Sequence, residues 1–206
     1  MPDAGHRANL RQMPCDVARV ALVVLVAAMR PASAVADSWV VGAGVDGSVA
    51  WGDRRALGAT CDCLAIPIGL SGRLEAGRSF ALSADLQLVP RLSAEATRIF
   101  APGGGSSSWQ ATAGVALAEG SSNRLWIDVG AGYGQHATDE AIPLEKTGLI
   151  VVAAAGLDHA IGAQLRLGFR VGLSLLRGDD RAGGFSSSLD PWIFRLSVGP
   201  TLTAEL

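Results

Sequence analysis

Gln164-Leu-Arg-Leu-Gly-Phe-Arg-Val-Gly-Leu-Ser-Leu175 alternates without interruption. Leu165, Leu167, Phe169, Val171, Leu173 and Leu175 fall on one side, and Gln164, Arg166, Gly168, Arg170, Gly172 and Ser174 on the other. Successive side chains of a β-strand point to opposite faces, so a period of two held this long predicts a strand with one apolar and one polar face.

The same pattern recurs along the chain. Trp39 to Trp51, Leu64 to Glu75, Phe80 to Glu95, Trp109 to Leu117, Leu125 to Gly134 and Trp192 to Leu206 each set apolar residues against mainly Gly, Ser, Thr or charged ones, with Pro67, Gln87, Gln110 and Trp126 also on that second face. Leu149 to His159 is apolar on both faces. Together these predict an all-β chain of eight antiparallel strands.

The connections are alternately long and short. A long one runs around Asp53 to Cys63, and a short one is expected at Ala76-Gly77-Arg78-Ser79. Then come a long loop with Pro102-Gly-Gly-Gly-Ser106, a short turn at Gly120 to Asn123, a long loop from Gln135 to Thr147, a tight turn at Ala160-Ile-Gly162, and a long final connection from Gly178 to Asp190. Outer-membrane barrels have short periplasmic turns and longer external loops. This order therefore predicts an up-and-down transmembrane barrel over residues 37–206 with both termini in the periplasm.

Residues 1–36 predict an export signal. Arg7, Arg11 and Arg19 precede the apolar run Val20 to Met29, and Ala32-Ser-Ala34 and Ala34-Val-Ala36 offer cleavage sites. That run is too short for a membrane helix, which needs roughly 20 residues. Met13 is an alternative start to Met1. Cys15 precedes the apolar run, so it does not form a lipid-anchor site. Lys and Arg total 17, of which Arg7, Arg11, Arg19 and Arg30 fall in this leader; Asp and Glu total 19, of which only Asp3 and Asp16 do. The remainder is net acidic, which argues against nucleic acid as a partner. Mean hydropathy is nevertheless +0.32, as expected when apolar residues are spread through alternating strands.

The aromatic residues orient the apolar face. Trp39 and Phe80 fall at the expected periplasmic strand ends, and Trp51, Trp109, Tyr133 and Trp192 at the external ends, all in the apolar phase. Two aromatic girdles facing lipid follow this pattern. From Trp39 to Trp51 the chain covers roughly 40 Å at about 3.3 Å per residue, or about 30 Å after strand tilt, close to the thickness of a bilayer core. The polar face is then the lumen. It carries Arg73, Arg91, Arg166, Arg170 and Arg195 with Asp46, Glu75, Asp85, Glu95, Asp128 and Glu205. Eight strands enclose an interior that side chains can fill, and buried charges persist when paired. The expectation is a lumen plugged by an Arg/carboxylate network, with Gly130, Gly132 and Gly134 making room for the arginines.

On these features the chain resembles the small OmpA/OmpX-type eight-stranded outer-membrane barrels of Gram-negative bacteria. The final segment, Phe194-Arg-Leu-Ser-Val-Gly-Pro-Thr-Leu-Thr-Ala-Glu-Leu206, resembles the strand read by the barrel-assembly machinery. It departs from the usual pattern in ending on Leu206 rather than an aromatic residue, and in carrying Pro200. The resemblance implies a cell-envelope protein in contact with outer-membrane lipid, with a structural or loop-mediated role.

Other motifs in the chain do not displace this reading. Gly42-Ala-Gly-Val-Asp-Gly47 fits G-x-G-x-x-G, but the alternation continues through it where a dinucleotide fold needs a helix, so no cofactor is expected. Cys61 and Cys63 are too few for a structural zinc site; a strained local disulfide, free thiols, intermolecular bonds and weak metal binding all remain open for them. His136 is the one histidine near the external end. It falls in the lumen phase, is expected in a solvated loop, and has no evident adjacent serine, although Thr138 lies close in sequence. His159 lies at the opposite end. The chain is accordingly expected not to be an enzyme. The rival readings are a lipid-modifying barrel enzyme using His136 and a soluble lipocalin-like periplasmic barrel with its apolar face inward.

Overall fold

The computed structural model describes residues 38–52, 66–101, 104–139, 144–182, 185–187 and 192–206. The expected export signal and the Cys61/Cys63 pair lie outside the described residues. The described residues form nine strands: β1 (Ser38–Gly52), β2 (Ile68–Ala81), β3 (Leu86–Ala101), β4 (Gly104–Glu119), β5 (Asn123–Thr138), β6 (Leu144–Ala160), β7 (Leu165–Ala182), the short β8 (Phe185–Ser187) and β9 (Trp192–Glu205). All pairings are antiparallel. Neighbours in sequence pair from β1 through β7, β9 pairs with both β7 and β1, and β8 adds to the end of β7. Eight strands thus close an up-and-down barrel that has no free edge.

The register fixes the geometry of the barrel. Starting at Gly42 and following partners through Glu75, Ser93, Thr112, Gly132, Ile150, Leu176 and Ile193, the ladder returns to β1 at Gly52, ten residues beyond its start. Eight strands with that stagger tilt by about 40° and enclose a backbone cylinder of roughly 8 Å radius. Two prolines mark gaps in the ladder. Arg78 and Ser79 lack partners on β3 beside Pro90, and Val45 and Asp46 lack partners on β9 beside Pro200, because proline supplies no backbone donor.

The termini share one end of the barrel, here the terminal end, with three short turns. Leu82–Asp85 joins β2 to β3, with the amides of Leu82 and Ser83 donating to the Leu86 carbonyl at 2.8 and 3.2 Å. Gly120–Ser122 joins β4 to β5, with Gly120 at φ +107°, a conformation L side chains rarely adopt. Residues 161–164 join β6 to β7, the Ile161 amide donating to Leu165.

Two expectations are corrected. The β2–β3 turn is not at Ala76–Ser79: β2 runs on to Ala81, with Ala76 and Gly77 paired to strands on both sides. Of the stretches expected as long loops at the far end, Asp53 to Cys63 lies outside the described residues, and the described parts of the other three are largely strand. Gly104, Gly105 and Ser106 pair with Ala101, Phe100 and Ile99; β5 runs to Thr138, β6 begins at Leu144, and β7 runs to Ala182. Gly- and Ser-rich sequence carries no hydrophobic period, so a ladder built from it reads as loop.

Alternation in burial follows the sequence. Trp39, Val41 and Val45 on β1, Leu125, Ile127 and Val129 on β5, and Leu167, Phe169, Val171 and Leu173 on β7 are exposed on the outer wall. Asp46, Arg73, Glu95, Asp128, Arg170 and Arg195 are buried inside. The barrel wears its apolar residues outward and its charges inward. A soluble barrel does the reverse, so the lipocalin-like reading does not fit this chain.

Candidate functional site

The chemistry of the described residues is concentrated in the lumen, where inward positions of all eight barrel strands converge. Three layers stack along the axis, followed by a fourth group at the far mouth.

At the terminal end, Glu205 of β9 pairs with two arginines, Arg124 of β5 and Arg166 of β7; the latter lies at 3.2 Å and also donates to the Ser121 carbonyl at 2.8 Å. Asp158 of β6 is buried beside them and accepts from Thr201 Oγ1 at 3.2 Å. Above this group lies a cavity of about 40 Å³, bordered by Glu75, Arg91, Arg124, Trp126 and Asp158 and walled by Val89, Ala116 and Ala118.

The middle layer is a chain of ion pairs. Arg91 bridges Asp128 at 2.7 Å and Glu75 at 3.0 Å, and its guanidinium stands 4.9 Å from the centre of the Trp126 ring. Glu75 also pairs with Arg73. Asp46 Oδ2 then lies 3.4 Å from both Arg73 Nε and Arg170 Nη1, and Arg170 donates to Ser197 Oγ at 3.1 Å. A second set sits alongside: Arg195 Nη2 lies 2.6 Å from Glu95 Oε1, and Gln110 accepts from Arg195 at 3.2 Å and donates to Glu95 at 3.0 Å. Thr97 contacts Arg195 and lies 3.2 Å from Ser71. In such surroundings each charge is tolerated because an opposite charge and neutral hydrogen-bonding groups meet it.

The third layer is apolar. Ala50, Ile99, Ile150, Val152, Leu176 and Ile193 form one buried cluster inside the lumen, each no more than 6 % exposed, with Leu144 packed against it. These side chains come from β1, β3, β6, β7 and β9. The two apolar faces of Leu149 to His159 are explained here: Leu149 and Val151 are exposed on the wall, and Ile150 and Val152 join this cluster. Beyond it, at the far mouth, Ser106, His136, Thr138 and Lys146 are buried, and Thr138 Oγ1 accepts from the Leu144 amide at 2.9 Å.

Of the residues singled out from sequence, Arg73, Arg91, Asp128, Arg166, Arg170, Arg195 and Glu205 lie in the lumen in ion pairs, as do Asp46, Glu75 and Glu95. Asp85 does not. It is exposed in the Leu82–Asp85 turn, a consequence of β2 continuing past the expected turn. His136 is not a solvated loop residue: it is 2 % exposed and faces the lumen from within β5. Nor do Gly130, Gly132 and Gly134 house the arginines. A Cβ at Gly130 or Gly134 would meet Val152 or Leu176 and backbone, and at Gly132 backbone alone; it is at Gly44 and Gly172 that a Cβ would meet the guanidinium groups of Arg73 and Arg170. The alternation puts Gln110 and Trp126 on the inward face without giving them a role, and it does not reach Arg124, Asp158 and Thr97. Each lies in the inward phase of its strand, so extending the alternation by one or two residues would have found Arg124 and Thr97.

On the outer wall, Trp39, Trp51, Trp109 and Tyr133 are exposed, and Phe80 and Trp192 are partly so. Trp51 stacks on Phe194 at 5.9 Å, Trp109 meets Tyr133 at 6.1 Å, and Arg177 lies 5.1 Å over Trp192. Trp39 and Phe80 stand near the terminal end and the other four towards the far end. Gly42–Gly47 is uninterrupted strand paired to β2, and the strand continues to Gly52 where a dinucleotide fold would need a helix.

No family model matches the chain, and no curated protein sequence matches it. Solved structures do. Neisserial surface protein A superposes with a TM-score of 0.61 at 11% identity, covering 84% of this chain and 100% of that one. Ail, the attachment invasion locus protein of Yersinia pestis, gives 0.47 at 14% identity over 82% of this chain and 99% of its own. The outer membrane enzyme PagL gives 0.45 at 16% identity over 78% and 98%. Closure of eight antiparallel strands, an apolar outer wall and the superposition on Neisserial surface protein A agree: the chain is an eight-stranded up-and-down transmembrane β-barrel with the fold of the small outer-membrane proteins.

Proposed function

We propose that this protein is an integral outer-membrane barrel whose lumen is closed and whose role is structural or interaction-based, exercised through its external rim. The terminal end faces the periplasm and the far end faces outward. The observation that carries this reading is the contrast within each strand between an apolar outer wall and an inner face of paired charges. The wall gives lipid a surface it can wet, and the lumen is filled rather than open, as expected for eight strands. A catalytic role is not part of the proposal. His136 is buried on the luminal side, away from the lipid-facing wall on which a lipid substrate would lie.

Fractionation tests the location. The full chain is expected in the outer-membrane fraction, released only by detergent, and migrating differently on gels when unheated. Recovery in the soluble periplasm would overturn the proposal.

A further inference from the structure

The two upper layers of the lumen differ in their appetite for water, and this assigns the permeability barrier. In the charged layer, Asp46 Oδ1, Arg73 Nη2 and Arg170 Nε are buried with no protein hydrogen-bond partner. Buried polar atoms in that condition recruit water. A cavity of about 40 Å³ beside Glu75, Arg91 and Arg124, the first two in the same chain of ion pairs, has room for it. The layer of Ile99, Ile150, Leu176 and Ile193 is built otherwise: its side chains carry no polar atom, and they pack into one buried cluster contributed by β1, β3, β6, β7 and β9. Hydrophobic constrictions stop ions by excluding water, without a covalent or ionic lock.

We infer that the seal of this barrel is the apolar septum, and that the ion-pair network beneath it is a buried compartment that takes up water from the periplasmic side. The inference rests on the membrane reading above. The network holds the strands together and fills space, and ions are halted one layer further out. Breaking an ion pair therefore leaves the barrel closed, whereas placing hydroxyl groups in the septum wets it and completes a path.

The test is ionic current through the full chain reconstituted in planar lipid bilayers, with folding followed in parallel by heat-dependent gel migration. The double variant Ile150→Ser/Leu176→Ser is expected to raise the frequency of conducting events at least tenfold over the unmodified protein. Leu176→Ala, a gentler change, is expected to give a smaller rise of the same kind. Glu95→Gln, which removes one charge from the network with its shape retained, is expected to stay silent. Silence of both septum variants in folded, inserted protein would overturn the inference, as would conduction by Glu95→Gln alone. Failure of the unmodified chain to insert at all is a different result. It would refute the membrane reading, and the septum as a seal would fall with it.

Discussion

The charged layer and the apolar septum are built on the same strands, in the same inward phase, within the same backbone cylinder, yet they fill it by opposite means. Around Asp46, three arginines and two further carboxylates lie within a network in which each ion depends on its neighbours. Around Ile150, aliphatic side chains fill the space with no directional demand. Removing a member from each therefore leaves different debris: an uncompensated charge in one case, a void in the other.

The sharpest way to break the comparison is Glu95→Ala. It strips Arg195 of its carboxylate 2.6 Å away and Gln110 of an acceptor, and removing one partner of a buried pair costs about 3–5 kcal/mol. Urea unfolding in lipid vesicles should show that loss. Next comes Leu176→Ala, where the lost contacts and the residual cavity cost about 2–4 kcal/mol in the same measurement. A larger loss for Leu176→Ala than for Glu95→Ala would reverse the ranking and make the septum the principal internal support. The smallest effect is expected at the far rim, where Arg98 and Asp139 form a two-pronged pair that is 48% and 36% exposed. Water and salt weaken such pairs, so Arg98→Ala should cost less than about 1 kcal/mol. A loss comparable to that of Glu95→Ala would show that the rim is as tightly coupled as the lumen.

The outer wall was legible from the sequence because lipid and lumen impose opposite demands on alternate residues. Leu165 to Leu175 records those demands in every position. The arginine-rich lumen was legible for the same reason, since a charge in the polar phase has nowhere else to go. The septum was not. Along Ile150, Val151 and Val152 both faces are apolar, and no periodicity tells which residues meet lipid and which meet Leu176. Asp85 was misplaced because the run of apolar residues from Phe80 to Leu86 keeps its phase through the turn, so the bend left no mark on the pattern. Arg124 escaped notice by standing one residue before the first apolar position of β5, next to a turn that continues as polar sequence.

The closed ladder also constrains how the barrel comes into being. Taken singly, β7 presents Arg166 and Arg170 on one side and unpaired amides along both edges. In hydrocarbon each of those groups would go unsatisfied. Its carboxylate partners reside on β1 and β9, the first and last strands of the barrel. No strand can therefore cross lipid ahead of the others at tolerable cost. Entry into the bilayer must be concerted, with β1 and β9 joined before or during the crossing, and the barrel's assembly is for this reason a single cooperative event rather than a sequence of eight insertions.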